Sequence, residues 1–429
     1  MFLRSVCFVV AGCSVQLAAA QSVAVIDGAE PVRVVTKIGP TPQLARKYDA
    51  TEARFKADAD LAALGRRIFF DTSLSQPQGS ACASCHDPAR AFASPLNARN
   101  STGPGTPAGS RTGHFSGRNA PSLLYVRYIP RLHFYQDDDA PFAGPYGGLM
   151  ADGRFDTLAQ QIRGPLLDPD EMNNGSAMAL MQRLRKLPLG QALASRFGAQ
   201  VARDPEAMLQ ALGKSMQAFL QSEEMSPFSS RLDDYLLQGT PLSPAEKRGL
   251  ALFKNPDKGN CASCHTLVDT ASRPERSLFT DFGYDAIAVP RNLKLAANRD
   301  TKHFDRGLCA TATSLGWDEP QQWCTYFRTP SLRNVAVKTS WMHNGVFKSL
   351  RDAVAFYNTR AIEPARWYAK GKLFDDVADE DRDNVNVNST PMNRRTGMPP
   401  ALTEAEIDDI VAFLRTLTDA PWVGLLPRQ

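Results

Sequence analysis

Two five-residue runs hold most of the reactive side chains in this sequence. Cys82-Ala83-Ser84-Cys85-His86 recurs letter for letter as Cys261-Ala262-Ser263-Cys264-His265. Cysteines at this spacing each add across a vinyl group of a porphyrin as a thioether, and the histidine that follows reaches the iron as an axial ligand. The run is the attachment signature of haem c, so its double occurrence predicts two covalently bound haems. A four-thiolate zinc site also uses Cys-x-x-Cys knuckles, but it needs no histidine directly after each one. A redox dithiol would need a thioredoxin-like strand and helix around it.

The rest of the composition narrows the setting. Met1 to Ala20 carries Arg4, an apolar stretch through Val9 and Val10 to Leu17, and a small-residue end, Ala18-Ala19-Ala20. That pattern predicts a signal peptide over 1–20 and, with haem c, a periplasmic location; no later stretch reads as a membrane span. Val10-Ala11-Gly12-Cys13 has the form of a lipoprotein box, but the apolar run before it is short. The net charge of +4 over 429 residues is small, and the basic residues are dispersed, which argues against nucleic acid as a partner. Of the 8 cysteines, two leave with the signal peptide and four hold haem. Cys309 and Cys324 remain, and an oxidising compartment predicts a disulfide between them.

The elements that would position the two runs are duplicated. Leu61 to Phe70 leads into the first, Lys247 to Phe253 into the second, and aligning Gly65 with Gly249 also aligns Ile68-Phe69 with Leu252-Phe253. Ser243-Pro244-Ala245-Glu246 is a capping box with proline at the first helical position, and Thr403 to Glu406 is another. Ile407, Ile410, Val411, Leu414 and Leu417 fall on one helical face, as do Met208, Leu209, Leu212, Met216, Phe219 and Leu220 after Asp204-Pro205. A helix before and a helix after each haem predict a mainly α fold. We expect two cytochrome c-like domains, 21–238 and 239–429, each wrapped around one covalently bound haem c. Long loops rich in Gly, Pro and Asn, Ser94 to Gly117 and Asp137 to Asp152, complete the picture.

Further segments carry a resemblance. Arg118-Asn119-Ala120-Pro121-Ser122-Leu123, Asp152-Gly153-Arg154, Gln161 through Pro165 to Glu171-Met172, Thr329-Pro330-Ser331-Leu332-Arg333-Asn334 and His343-Asn344-Gly345 stand alongside the two haem runs. Together they resemble the bacterial di-haem cytochrome c peroxidase family, including its MauG-type members, which oxidise protein side chains. The resemblance covers most of the chain after the signal peptide. It implies that the N-terminal haem is the site of hydrogen peroxide reduction. Glu171 and Gln161 then stand at the catalytic positions, with Glu171 moving the proton that O–O cleavage requires.

His114, four residues before Arg118, stands near the place of a histidine that gates the iron; the alternative for it, and for His133, is an ordinary loop histidine. Where the family carries a tryptophan relay before Asp-Gly-Arg, this chain has Ala151; Trp341 is either a substitute or a core residue. Asn119 matches a calcium ligand, with the backbone carbonyls of Lys338 and Ser340 as implied partners. Arg328 and Arg333 are expected at haem propionates. For the second iron two ligands compete: Tyr357, fourteen residues after His343 as in MauG-type enzymes, which we favour, and Met398 in Thr396-Gly397-Met398-Pro399-Pro400.

Two classes of function follow. One is a peroxidase that draws electrons through the C-terminal haem from a protein donor, a small cytochrome c or cupredoxin, or from residues of a substrate protein; a homodimer is compatible with it. The other is a di-haem electron carrier, against which Glu171 and Gln161 speak, since a carrier needs no acid-base group above an iron.

Overall fold

The structure is a computed structural model that describes residues 58–95, 103–135, 144–267 and 277–426, and the expected signal peptide lies outside them. The described residues are mainly helical. The first half holds α1 (Ala59–Phe69), α2 (Leu158–Gln161), α3 (Arg163–Leu167), α4 (Ala177–Leu184), α5 (Pro188–Phe197) and α6 (Pro205–Leu220). The second holds α7 (Arg231–Gln238), α8 (Pro244–Lys254), α9 (Cys309–Ser314), α10 (Leu350–Thr359), α11 (Pro364–Trp367) and α12 (Glu404–Arg415). Two short antiparallel pairs join β1 (His133–Tyr135) to β2 (Gly144–Tyr146) and β3 (Tyr284–Asp285) to β4 (Phe327–Arg328).

The aligned glycines sit at equivalent helix crossings. A Cβ on Gly65 in α1 would lie 2.0 Å from the Ser215 carbonyl oxygen of α6, and one on Gly249 in α8 would lie 1.9 Å from that of Asp409 in α12. Only glycine lets the two backbones touch, which offsets the ~1 kcal/mol that a helical glycine costs relative to alanine. One turn further along, Phe69 meets Phe219 at 5.4 Å and Phe253 meets Phe413 at 5.1 Å between ring centroids. A third ring closes each group: Phe92 in the first and Phe279 in the second. The caps read from sequence are formed, with Ser243 and Glu246 on α8 and Thr403 and Glu406 on α12 each satisfying the other's backbone N–H.

Two buried hydrophobic clusters surround these crossings. Leu232, Tyr235 and Leu236 of α7 pack into the second cluster, and Leu232 N–H donates to the Thr416 carbonyl at 3.1 Å. Gly239, at which the two expected domains meet, is the left-handed residue (φ 72°) that ends α7. The C-terminal segment crosses back, burying Trp422 in the first cluster. A disulfide joins Cys309 to Cys324. No described helix is long and apolar enough to cross a membrane.

Candidate active site and haem cradles

Each Cys-x-x-Cys-His run winds into a single tight turn. The His86 N–H donates to the Cys82 carbonyl at 2.9 Å, and the His265 N–H to that of Cys261 at 2.8 Å. One turn of helix brings residues i, i+3 and i+4 to the same side, so both thiols and the imidazole face the same space. The imidazoles are then fixed by backbone. His86 Nδ1 lies 3.2 Å from the Phe92 carbonyl and 3.0 Å from that of Pro121, and His265 Nδ1 lies 2.9 Å from the Phe279 carbonyl. Carbonyls only accept, so Nδ1 carries the proton and the Nε2 lone pair is left for a metal. Burial also lowers the pKa of His86 and favours the neutral, ligating form.

Phe92 and Phe279 thus do two things, closing the aromatic triangle with the ring and orienting the histidine with the carbonyl. Both hold positive φ, 56° and 52°, which a non-glycine residue seldom adopts. Sequence reading missed them, because neither the carbonyl nor the backbone angle leaves a mark in the residue type.

Glu171 lies on the loop after α3, laced to the stretch 107–118. The Ser110 N–H donates to its backbone carbonyl at 2.6 Å, and Ser116 Oγ donates to its side-chain Oε1 at 2.7 Å. The same stretch reaches the first haem run through Ala108, whose carbonyl is 3.9 Å from Cys85 Sγ. Burial raises the Glu171 pKa above its ordinary value, the Ser116 hydrogen bond opposes that, and Asp168 adds to it. A carboxyl raised in this way holds a proton more readily than a free one and can act as donor as well as acceptor. Gln161, at the end of α2, directs Nε2 at Met150 Sδ, 3.2 Å away.

The side of the second run holds Tyr357 on α10. Burial raises the pKa of its phenol, and Cys264, Asp285 and Cys261 add to the effect; Tyr357 and Cys261 both pack against the second hydrophobic cluster. Met398 is 46% exposed. Arg328 is half-buried, its Nε 3.4 Å from the Met150 carbonyl, with no carboxylate at ion-pair distance among the described residues. Arg360, three residues after Tyr357, is 1% exposed and donates to the Ile287 and Asn386 carbonyls, again without a described carboxylate partner. Two shielded guanidinium groups without a counter-anion among the described residues fit the propionates of a bound haem.

The sequence pattern described as di-haem cytochrome c peroxidase matches residues 59–241. The methylamine utilization protein MauG of Paracoccus denitrificans is 35% identical over 381 residues, 88% of this chain and 93% of that protein. The chain belongs to the di-haem cytochrome c peroxidase family, in its MauG branch. The crystal structure of the diheme peroxidase BthA from Burkholderia thailandensis is 67% identical, with a TM-score of 0.84 over 87% of this chain and 89% of that one. A tyrosine-to-methionine variant of BthA superposes equally well, with a TM-score of 0.85. Family membership makes the chain an enzyme of the di-haem peroxidase class and implies two haems c.

Within that family frame, several expected residues have specific surroundings. Arg333, expected at a propionate, is committed elsewhere: Nη1 and Nη2 donate to Asp233 at 2.9 and 2.7 Å, and Nε to the Ser277 carbonyl at 2.7 Å. The guanidinium lies over the rings of Tyr125 and Phe228. The reason is distance along the chain: its partner on α7 is 100 residues away and no local pattern announces it. Asn119 Nδ2 donates to the Ser340 and Met342 carbonyls at 3.1 and 3.2 Å, and its Oδ1 accepts from Ser94 Oγ at 2.6 Å. The Asn119 amide and the Ser340 carbonyl therefore meet, and the Met342 carbonyl joins them. Burial pushes the Lys338 amine down to about 8.

His114 Nδ1 is 2.7 Å from Asp170 Oδ1, with the ring 39% exposed. His133 Nδ1 turns to the Arg131 carbonyl at 2.9 Å. Trp341 is a core residue whose Nε1 donates to the Val335 carbonyl. The Ala151 carbonyl accepts from the Arg328 N–H at 2.9 Å. Sequence reading also missed Asp305, which takes Arg118 bidentately at 2.7 Å while Arg118 Nη1 donates to Asp152 at 2.7 Å. The Arg-Asn and Asp-Gly-Arg segments meet there, over Phe327, whose ring stacks on His343 at 3.7 Å.

Proposed function

We propose that this protein is a periplasmic enzyme that reduces hydrogen peroxide beside the first haem run, using electrons that a protein donor delivers through the second. Each haem run forms the centre of a cytochrome c-like domain in this reading. Haem c, when bound, supplies the redox-active iron. The residues of this chain do the rest: Cys82 and Cys85, and Cys261 and Cys264, anchor the porphyrins, while His86 and His265 present Nε2. Arg328 and Arg360 are the side chains that would neutralise propionates. The observation that carries the reading is Glu171, a shielded carboxyl held by Ser116 on the stretch that touches Cys85. In this reading Glu171 would pass a proton to the departing oxygen of peroxide, and Gln161, whose Nε2 donates to Met150 Sδ, would stand at the second catalytic position.

Glu171→Gln keeps the shape and the hydrogen bond from Ser116 but removes the transferable proton. The variant should retain both haems by absorbance and lose about a hundredfold to ten-thousandfold in peroxide turnover. Wild-type turnover in this variant would make Glu171 an ordinary loop carboxylate.

A second reading, MauG-type oxidation of side chains in a partner protein, is favoured by Tyr357. A phenolate ligand to the second iron favours higher oxidation states, whereas a thioether favours the reduced one. Tyr357 packs against the same cluster as Cys261, and Met398 is exposed. The calcium expected at Asn119 and the carbonyls of Lys338 and Ser340 belongs to this proposal too, with the Asn119 amide turned so that Oδ1 meets the cation.

A further inference from the structure

Two of the five tryptophans stand together, each half-buried. Trp317 and Trp323 follow α9 in the loop stapled by the Cys309–Cys324 disulfide, with ring centroids 6.4 Å apart. Phe134 of β1 lies 5.7 Å from each ring and is 43% exposed, and Tyr326 lies 5.6 Å from Trp323. From Tyr326 the contacts lead back to the second haem run. Tyr326 precedes β4, and Phe327 is paired in register with Asp285, whose Oδ2 is 3.7 Å from Cys264 Sγ. Contacts thus run from the second haem run through Asp285, Phe327, Tyr326 and Trp323 to Trp317.

The indole N–H groups separate these two tryptophans from the rest. Trp341, Trp367 and Trp422 each donate Nε1–H to a protein oxygen: the Val335 carbonyl, Thr359 Oγ1 and the Pro88 carbonyl. Trp317 and Trp323 are half-buried, and their N–H groups have no protein acceptor among the described residues. An indole that loses an electron becomes a strong acid at nitrogen, and it is trapped as a neutral radical only where the proton has somewhere to go. At Trp317 and Trp323 it goes to water.

We propose that Trp323, with Tyr326 inside it and Trp317 outside it, is a second redox site, an aromatic exit at which one-electron donors of the ascorbate or phenol class meet oxidising equivalents drawn from peroxide. This rests on the peroxidase reading above. Reduction of peroxide takes two electrons and two protons and yields two waters. Trp323 and Trp317 each give one electron inward and release the N–H proton to solvent. Two donor molecules, each losing one electron and one proton, restore the indoles. The balance is one peroxide and two donors giving two waters and two donor radicals. Without a donor, an indole loses two electrons and takes its oxygen from water, so that tryptophan and peroxide give oxygenated tryptophan and water.

The test is peptide mapping by mass spectrometry of the haem-loaded protein after brief treatment with peroxide, with and without ascorbate. Without ascorbate, Trp317 and Trp323 should each gain one oxygen atom while Trp341, Trp367 and Trp422 stay unmodified; ascorbate should suppress the gain. Exposed Met178 and Met398 take oxygen from peroxide directly and serve as the internal reference. Trp323→Phe should abolish oxygenation of Trp317 without changing that of Met398, and Trp323→Tyr should restore it. Freeze-quenched samples should show a tryptophan radical by electron paramagnetic resonance that Trp323→Phe lacks. Peroxide consumed while both tryptophans stay clean, or Trp317 oxygenated equally in Trp323→Phe, overturns this inference alone. A wild-type protein that leaves peroxide unconsumed overturns the peroxidase reading and this inference with it.

Discussion

The Arg333 and Asp233 pair offers the sharpest test of how the motif residues are used. Their side chains are 1% and 3% exposed, and a third charge, Asp419, lies 3.9 Å from Arg333 Nη1 at 0% exposure. Removing one member of a buried pair costs about 3–5 kcal/mol, because the other is left charged in a dry site. The two removals differ. Asp233→Asn leaves Arg333 with Asp419 still close, so its cost belongs near ~3 kcal/mol, the low end of that range. Arg333→Met strands two carboxylates together, which places it at about 5 kcal/mol, the high end. The double variant should cost less than the sum, with a coupling of about 2–3 kcal/mol. Urea unfolding of the haem-loaded protein, followed by far-ultraviolet circular dichroism, measures all three. A coupling below about 0.5 kcal/mol would refute the argument. So would an Arg333→Met variant of unchanged stability whose second haem shifts in potential, since Arg333 would then be a propionate partner as the motif suggested.

Three further outcomes follow. Ser116 donates to Glu171 and favours its ionised form against burial, so Ser116→Ala should move the acid limb of kcat/KM for peroxide to higher pH; an unmoved or lowered limb would detach Ser116 from the acid-base group. Tyr357→Phe should change the ferric spectrum of the second haem while Met398→Ala leaves it unaltered; a far-red sulfur-to-iron band in wild type that only Met398→Ala removes would reverse the assignment. Burial pushes the Asp305 carboxyl up, but Arg118 outweighs this and holds it below the ordinary 3.8. Because the folded pKa is depressed, the stability that Asp305 contributes is present above pH 3.8 and is lost as pH falls through the folded value. The stability gap between wild type and Asp305→Asn, measured by urea unfolding, should therefore be constant near neutral pH and shrink below that point.

What was legible in the sequence was what covalent geometry or close packing ties to residue type. Thioether attachment needs two cysteines and a histidine on one turn of chain, so the runs at 82–86 and 261–265 declare themselves. A backbone-to-backbone helix crossing tolerates only glycine, so Gly65 and Gly249 marked equivalent points of a duplication, at each of which an added Cβ would come within 2.0 and 1.9 Å of the facing carbonyl oxygen. Gly239 has a different use: its φ of 72° ends α7, a helix that packs into the second cluster.

The less legible parts are those in which a residue acts through its backbone or through a partner far away. Phe92 lies six residues after His86 and Phe279 fourteen after His265, so no common spacing links them, although their carbonyls orient the two histidines alike. Any residue could present that carbonyl; what the site requires is a backbone at φ 56° or 52°, and the ring that fills the triangle holds it there. Arg118 meets Asp305 across 187 positions. A lone aspartate in a polar loop has no signature until the fold closes around it, and burial then turns an ordinary carboxylate into the charge that fixes the arginine between the two halves.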